Sequence, residues 1–152
     1  MRERDLYPPV RDWLSSQGWT VHVEIFDADV VAVKDGKIMV VELKTGMTEE
    51  LRWQAVKRAQ WSDLVLVAVP ASTYRPNRHW FNYGIGVLTI DDRRRVRVRI
   101  QPRPQPWHWV KRRTYRLKRL SSRAPAQDFE SAGMPSCREL RQMRERRNAA
   151  PT

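Results

Sequence analysis

The 152-residue chain has one cysteine, Cys137. No intrachain disulfide can form, and one thiolate cannot build a cysteine-based zinc site. No apolar run is long enough to cross a bilayer, and no secretory apolar segment opens the chain. A cytoplasmic protein with no membrane partner is therefore the expectation. His22, His79 and His108 lack metal-ligand spacing and read as structural or incidental. Acidic residues are missing altogether from one long stretch, 93–123.

That last absence organises the charge. The chain carries 29 Lys and Arg against 17 Asp and Glu, a net +12. Residues 1–92 hold 11 basic and 13 acidic residues, whereas 93–123 hold 13 basic and none acidic. A near-neutral domain is thus followed by a concentrated cationic segment, and such a block usually meets phosphates. A solvated charged tail is the plainer alternative. Trp107, His108, Trp109 and Tyr115 lie among the basic residues, and solvated tails are usually poor in aromatics. Arg93, Arg94, Arg95, Lys111, Arg112, Arg113, Arg116, Lys118 and Arg119 are accordingly candidate phosphate contacts.

The pattern predicts a helix over 6–17, with Pro8 and Pro9 in its first turn and Gly18 as its stop. Residues 19–25 alternate as a strand. The apolar runs 30–33 and 38–43 flank Lys34-Asp35-Gly36-Lys37, and Asp-Gly is a strong hairpin signal. Thr48 can cap a helix running from Glu49 to about Trp61. Strands follow at 64–69, 86–90 and 96–100. Trp53, Trp61 and Trp80 read as core. Strands apolar on both faces imply a sheet covered on both sides, hence an α/β fold. The domain expected over 1–101 is followed by a stiff Pro-rich linker, 102–106, and a basic helical extension, 107–152. In that extension Trp107, Val110, Thr114, Leu117 and Leu120 recur at helical spacing, and Ser136 with Glu139 forms a capping-box pair.

If Asp35-Gly36 is a two-residue loop, paired positions of the hairpin add up to 71. Asp29 then faces Glu42 and Asp27 faces Lys44. Glu42 and Lys44 share a face because strand side chains have period two. Two opposed carboxylates repel unless a cation lies between them, and Mg²⁺ is usually held by one or two carboxylates plus water and phosphate oxygens. The competing reading is a salt-bridged surface hairpin. The apolar residues around these acids favour burial, and buried acids need a partner or an ion.

Asp29 with Val30-Val31-Ala32-Val33, the Asp-Gly turn, and Val40-Val41-Glu42-Leu43-Lys44 resemble the signature of the PD-(D/E)XK nuclease superfamily. Ala28 stands where the motif has proline. The similarity spans about residues 3–90 and is greatest to small Holliday-junction-resolvase-like proteins and to a bacterial branch whose E-x-D-L-Y-P-P-V opening resembles Glu3 to Val10. The resemblance implies a restriction-endonuclease-like core, a central mixed sheet flanked by helices. It implies Asp29, Glu42 and the Leu43 carbonyl as ligands of Mg²⁺, for which Mn²⁺ could substitute. It also implies Lys44 as catalytic lysine, with Glu3 as the helical glutamate that completes some of these sites and Glu24 as a weaker candidate. A Gln near Gln54 approaches the site or the DNA in such families, and Arg58 lies one turn away on the same helix face; a solvated helix face is the plainer alternative for both. A homodimer is an expectation by analogy alone.

The reading is a Mg²⁺-dependent DNA endonuclease that hydrolyses phosphodiester bonds. The alternatives are a non-catalytic DNA-binding or regulatory module on the same fold, and a basic RNA-associated protein.

Overall fold

The computed structural model describes residues 1–76, 83–105, 116, 119 and 120. Helix α1 (Glu3–Ser16) is followed by strands β1 (Thr20–Ile25), β2 (Ala28–Lys34) and β3 (Lys37–Leu43). Helix α2 (Glu49–Ala59) leads to β4 (Leu64–Pro70), a 3₁₀ turn (Ala71–Thr73), β5 (Gly86–Ile90) and β6 (Val96–Ile100). The six strands form one mixed sheet in chain order. β3, β4 and β5 run parallel, and β1, β2 and β6 pair antiparallel with their neighbours.

The helix α1 starts one turn earlier than the apolar pattern predicts. Its first turn is organised by Asp5, whose carboxylate accepts the Arg2 backbone N–H at 2.7 Å. Pro8 and Pro9 therefore lie inside the helix, past the first turn. Leu6, Val10 and Leu14 recur at helical spacing and are fully buried against Val30, Val41, Leu66 and Leu88 on one sheet face. On α2, Thr48 caps as predicted by accepting the Leu51 N–H at 3.2 Å. Leu51 and Ala55 cover Val65, Val67 and Val87 on the other sheet face. The sheet is thus mixed and flanked by helices, as expected.

The Asp-Gly hairpin forms with Asp35 and Gly36 both at positive φ, the conformation of the mirror-image two-residue turns. Its pairs run from Lys34–Lys37 to Val30–Val41, in the predicted register. A second tight hairpin joins β1 to β2. Ile25 pairs with Ala28 across Phe26 and Asp27, both at positive φ. This corrects the pairing of Asp27 with Lys44. Asp27 is a turn residue, and β3 ends at Leu43, where the Lys44 N–H turns to the Ala68 carbonyl at 3.1 Å.

The stretch expected as a stiff linker is hydrogen-bonded to the domain where it is described. Arg103 N–H donates to the Gly84 carbonyl at 2.9 Å, and Gln105 N–H to the Asp63 carbonyl at 2.8 Å. Leu120 is buried with Ile25, Val31, Ile38, Val40 and Trp61. At this point the extension is part of the body of the domain. The expectations for Trp80, Pro106, Trp107, His108, Lys111, Arg112, Arg113, Leu117, Lys118 and the segment 121–152 lie outside the described residues. Trp61 is core, as read, but Trp53 is 55% exposed, with the Arg52 guanidinium over its ring.

Candidate active site

The site builds up from strand register. Paired positions of β1 and β2 add up to 53, and those of β2 and β3 to 71. Glu24, Asp29 and Glu42 therefore occupy one row across three adjacent strands. The β1–β2 register skips this row, from Val23–Val30 to Ile25–Ala28, and the β2–β3 register stops one row short of it, at Val30–Val41. Glu24 adopts φ +53, which removes it from extended geometry. Asp29 instead uses its side chain: one carboxylate oxygen accepts the Leu43 N–H at 2.8 Å. A non-glycine residue in the left-handed region costs on the order of 1–3 kcal/mol and persists where its surroundings hold it. Three departures within four residues, at Glu24, Phe26 and Asp27, lie at this corner of the sheet.

Glu42 is 0% exposed and Asp29 is 3% exposed. An ionised carboxylate at such depth needs a counter-charge. Arg58 supplies one. Its Nε donates to Glu42 Oε1, and its guanidinium also donates to the Asp27 carbonyl. Arg58 thus turns inward from α2 toward Glu42, which corrects the reading of this helix position as a solvated face. The physical reason is the buried charge on β3 beneath it. Gln54, one turn earlier, donates to Glu50 at 3.3 Å on its own helix. The other oxygen, Glu42 Oε2, is buried with no hydrogen-bond partner among the described residues.

Lys44 and Glu3 meet at the end of the sheet, 3.4 Å apart, with each side chain about a quarter exposed or less. The α1 start at Glu3, rather than Leu6, brings this glutamate to Lys44. The structure therefore brings together two sets of predicted residues, Asp29 with the Leu43 backbone and Lys44 with Glu3, on the consecutive stretch 42–44. Arg58 as the partner of Glu42 is the functional contact that sequence reasoning missed. Only its position on an amphipathic helix following the strand could have signalled it.

Among the described residues, no three His, Cys, Asp or Glu side chains gather as a ready-made metal cluster. Mg²⁺ does not require one, because water and phosphate oxygens fill most of its octahedron. The orphaned, buried Glu42 Oε2, on the strand paired with that of Asp29, fits such an ion. Hard carboxylate oxygens are the donors that it takes.

The cationic candidates divide. Arg93, Arg94 and Arg95 are exposed on the turn between β5 and β6. Arg119 is exposed as well. Arg116 is half-buried, its guanidinium 4.5 Å from the Trp61 ring centroid and 5.3 Å from that of Phe26. It is held by aromatic faces rather than presented to solvent.

No family model matches the chain, and no curated protein matches it. A solved protein of unknown function from Silicibacter pomeroyi is similar in structure, with a TM-score of 0.60 at 16% identity. The match covers 99% of this chain and 96% of that one. At this identity the likeness concerns the fold alone. No helix among the described residues is long and apolar enough to cross a membrane.

Proposed function

We propose that this protein is a metal-dependent DNA endonuclease on a restriction-endonuclease-like core, with Asp29, Glu42 and Lys44 as its catalytic group. The observation that carries the reading is Glu42: a fully buried carboxylate, one oxygen unpartnered, on the strand beside the one that carries a second buried acid, Asp29, and two residues before a lysine at the sheet end. A fold gains nothing in stability from an orphaned buried oxygen, since such a group costs about 1–3 kcal/mol or more when charged. Asp29, Glu42 and the Leu43 carbonyl would hold Mg²⁺ or Mn²⁺. The ion would supply Lewis acidity toward water and the phosphoryl oxygens.

The chain's own residues do the rest. The Leu43 N–H donates to the Asp29 carboxylate at 2.8 Å and so fixes its rotation. Glu3 holds the Lys44 ammonium at the mouth of the site, where a point charge can offset the scissile phosphate. The exposed arginines after β5 add phosphate contacts, which position a strand without reading its sequence. DNA is the partner in this reading, and cleavage of both strands would suit a homodimer.

One observation favours the second reading, a non-catalytic DNA-binding module. Arg58 already neutralises Glu42, so the carboxylate has a structural role without any metal. The two readings part in a cleavage assay. Plasmid or branched DNA is incubated with Mg²⁺ or Mn²⁺, and in parallel with chelator. Nicking or linearisation only with metal supports the nuclease; binding without cleavage under both conditions supports the module.

A further inference from the structure

The sheet end that carries Lys44 also carries the turn after β5. Ile90 closes β5 opposite Pro70 of β4, so the turn 91–95 leaves the sheet at the end where Lys44 leaves β3. It lies two strands away, a lateral offset of roughly 10 Å. Asp91 builds this turn. One carboxylate oxygen accepts the N–H groups of Arg93 at 2.9 Å and Arg95 at 3.0 Å. The other accepts from Arg95 Nε at 2.8 Å. The Arg94 N–H donates to the Asp91 carbonyl at 2.9 Å, with Arg94 at φ +60. The result is a fixed scaffold that presents the Arg93 and Arg94 side chains to solvent, not a loose loop.

Beside this turn lies a niche of about 290 Å³, lined by Pro8, Pro9, Asp12, Trp13, Arg94 and Val96. Trp13 and Val96 both pack against the main core, so the apolar side of the niche is anchored. Its volume falls just short of the roughly 300 Å³ at which drug-sized sites begin. That suits one base rather than two. An indole and two prolines with a guanidinium at the rim match an unstacked nucleotide: the base stacks on the aromatic ring and the phosphate meets the arginine. A base paired within a duplex cannot enter.

We propose that this niche takes one unstacked base of the substrate strand while Arg93 and Arg94 hold the adjoining phosphate. The protein then prefers DNA with an unpaired segment over intact duplex. This deepens the DNA-cleaving reading and rests on it for the identity of the substrate.

The test measures binding in chelator, so its outcome does not depend on hydrolysis. Affinities are compared for a short oligothymidylate and a blunt duplex of equal length. Arg94→Gly removes the guanidinium and tolerates the positive φ. Its expected effect is a loss of about tenfold on the single strand, as for one lost charge-assisted hydrogen bond to phosphate, and a smaller loss on duplex. Trp13→Leu should act in the same way where its melt shows a folded protein. A third measurement needs no variant: photocrosslinking of a 5-iodouracil oligonucleotide should label Trp13. Equal losses on both DNA forms, unchanged affinities, or crosslinks confined to other segments overturn the niche. Metal-dependent cleavage lost in Glu42 and Lys44 variants would survive that failure, so the two proposals fail separately.

Discussion

Arg58 on α2 reaches Glu42 on β3, and the pair joins a helix to the most deeply buried charge described in the sheet. The side chains are 12% and 0% exposed. Solvent screening is therefore slight, and the pair behaves as a buried ion pair.

Removing one partner of such a pair leaves an uncompensated charge. Arg58→Ala should destabilise the protein by about 3–5 kcal/mol in urea unfolding. If Glu42 also takes a divalent ion, Mg²⁺ should restore more stability to Arg58→Ala than it adds to wild type, because the ion replaces the lost counter-charge. Destabilisation with no response to Mg²⁺ in either protein would mark the pair as purely structural.

Leu120 tests whether the cationic extension belongs to the domain. Its burial among Ile25, Val31 and Trp61 predicts that Leu120→Ala costs about 2–5 kcal/mol. Arg116→Ala should lower the melting temperature as well, through loss of its contacts with Trp61 and Phe26. It should leave the salt dependence of DNA binding nearly unchanged. Each lost phosphate contact would instead reduce the log–log slope by about 0.9 on duplex DNA. Thermal melts unaltered by either substitution would mean that the extension is independent.

Much of this arrangement was legible in the sequence, and the reasons are local. Asp35-Gly36 prescribes a two-residue turn, and the turn fixes every pair of the β2–β3 hairpin. Residues 86–90 and 96–100 form strands with the predicted bounds because apolar runs end at Asp91 and Asp92. The β1–β2 turn was hidden because Phe26-Asp27 is not a usual turn pair; its positive φ values are held by the neighbouring ladder and by Arg58 on the Asp27 carbonyl. The early start of α1 was masked by Pro8 and Pro9, which suit a first turn. Arg58 could not be aimed from helix periodicity alone, since its direction depends on a buried charge from another element.

Asp5 offers a pH-dependent check on the start of α1, which places Glu3 at Lys44. The Arg2 backbone hydrogen bond, with the Arg2 charge, holds the Asp5 carboxyl below the ordinary value of 3.8. A depressed folded value means that Asp5 stabilises the fold above the unfolded value and ceases to as pH falls through the folded one. Asp5→Asn should therefore be less stable than wild type at neutral pH, by no more than about 1 kcal/mol at this exposed helix terminus. The difference should shrink as pH drops below 3.8. A difference that stays constant across that range would contradict the Asp5–Arg2 contact.

The central claim is that Asp29, Glu42 and Lys44 form a hydrolytic centre. The most direct measurement compares wild type, Glu42→Gln and Lys44→Ala, purified alike, on supercoiled DNA with Mn²⁺ or Mg²⁺, alongside DNA affinity in chelator. The account predicts metal-dependent nicking by wild type, loss of at least about a hundredfold in each variant, the low end of what one positioned catalytic group contributes, and affinity in chelator within about twofold of wild type for Glu42→Gln, which spares the phosphate contacts, and within about tenfold for Lys44→Ala, which loses one. Equal cleavage by all three proteins, or none by wild type in either metal, would contradict it.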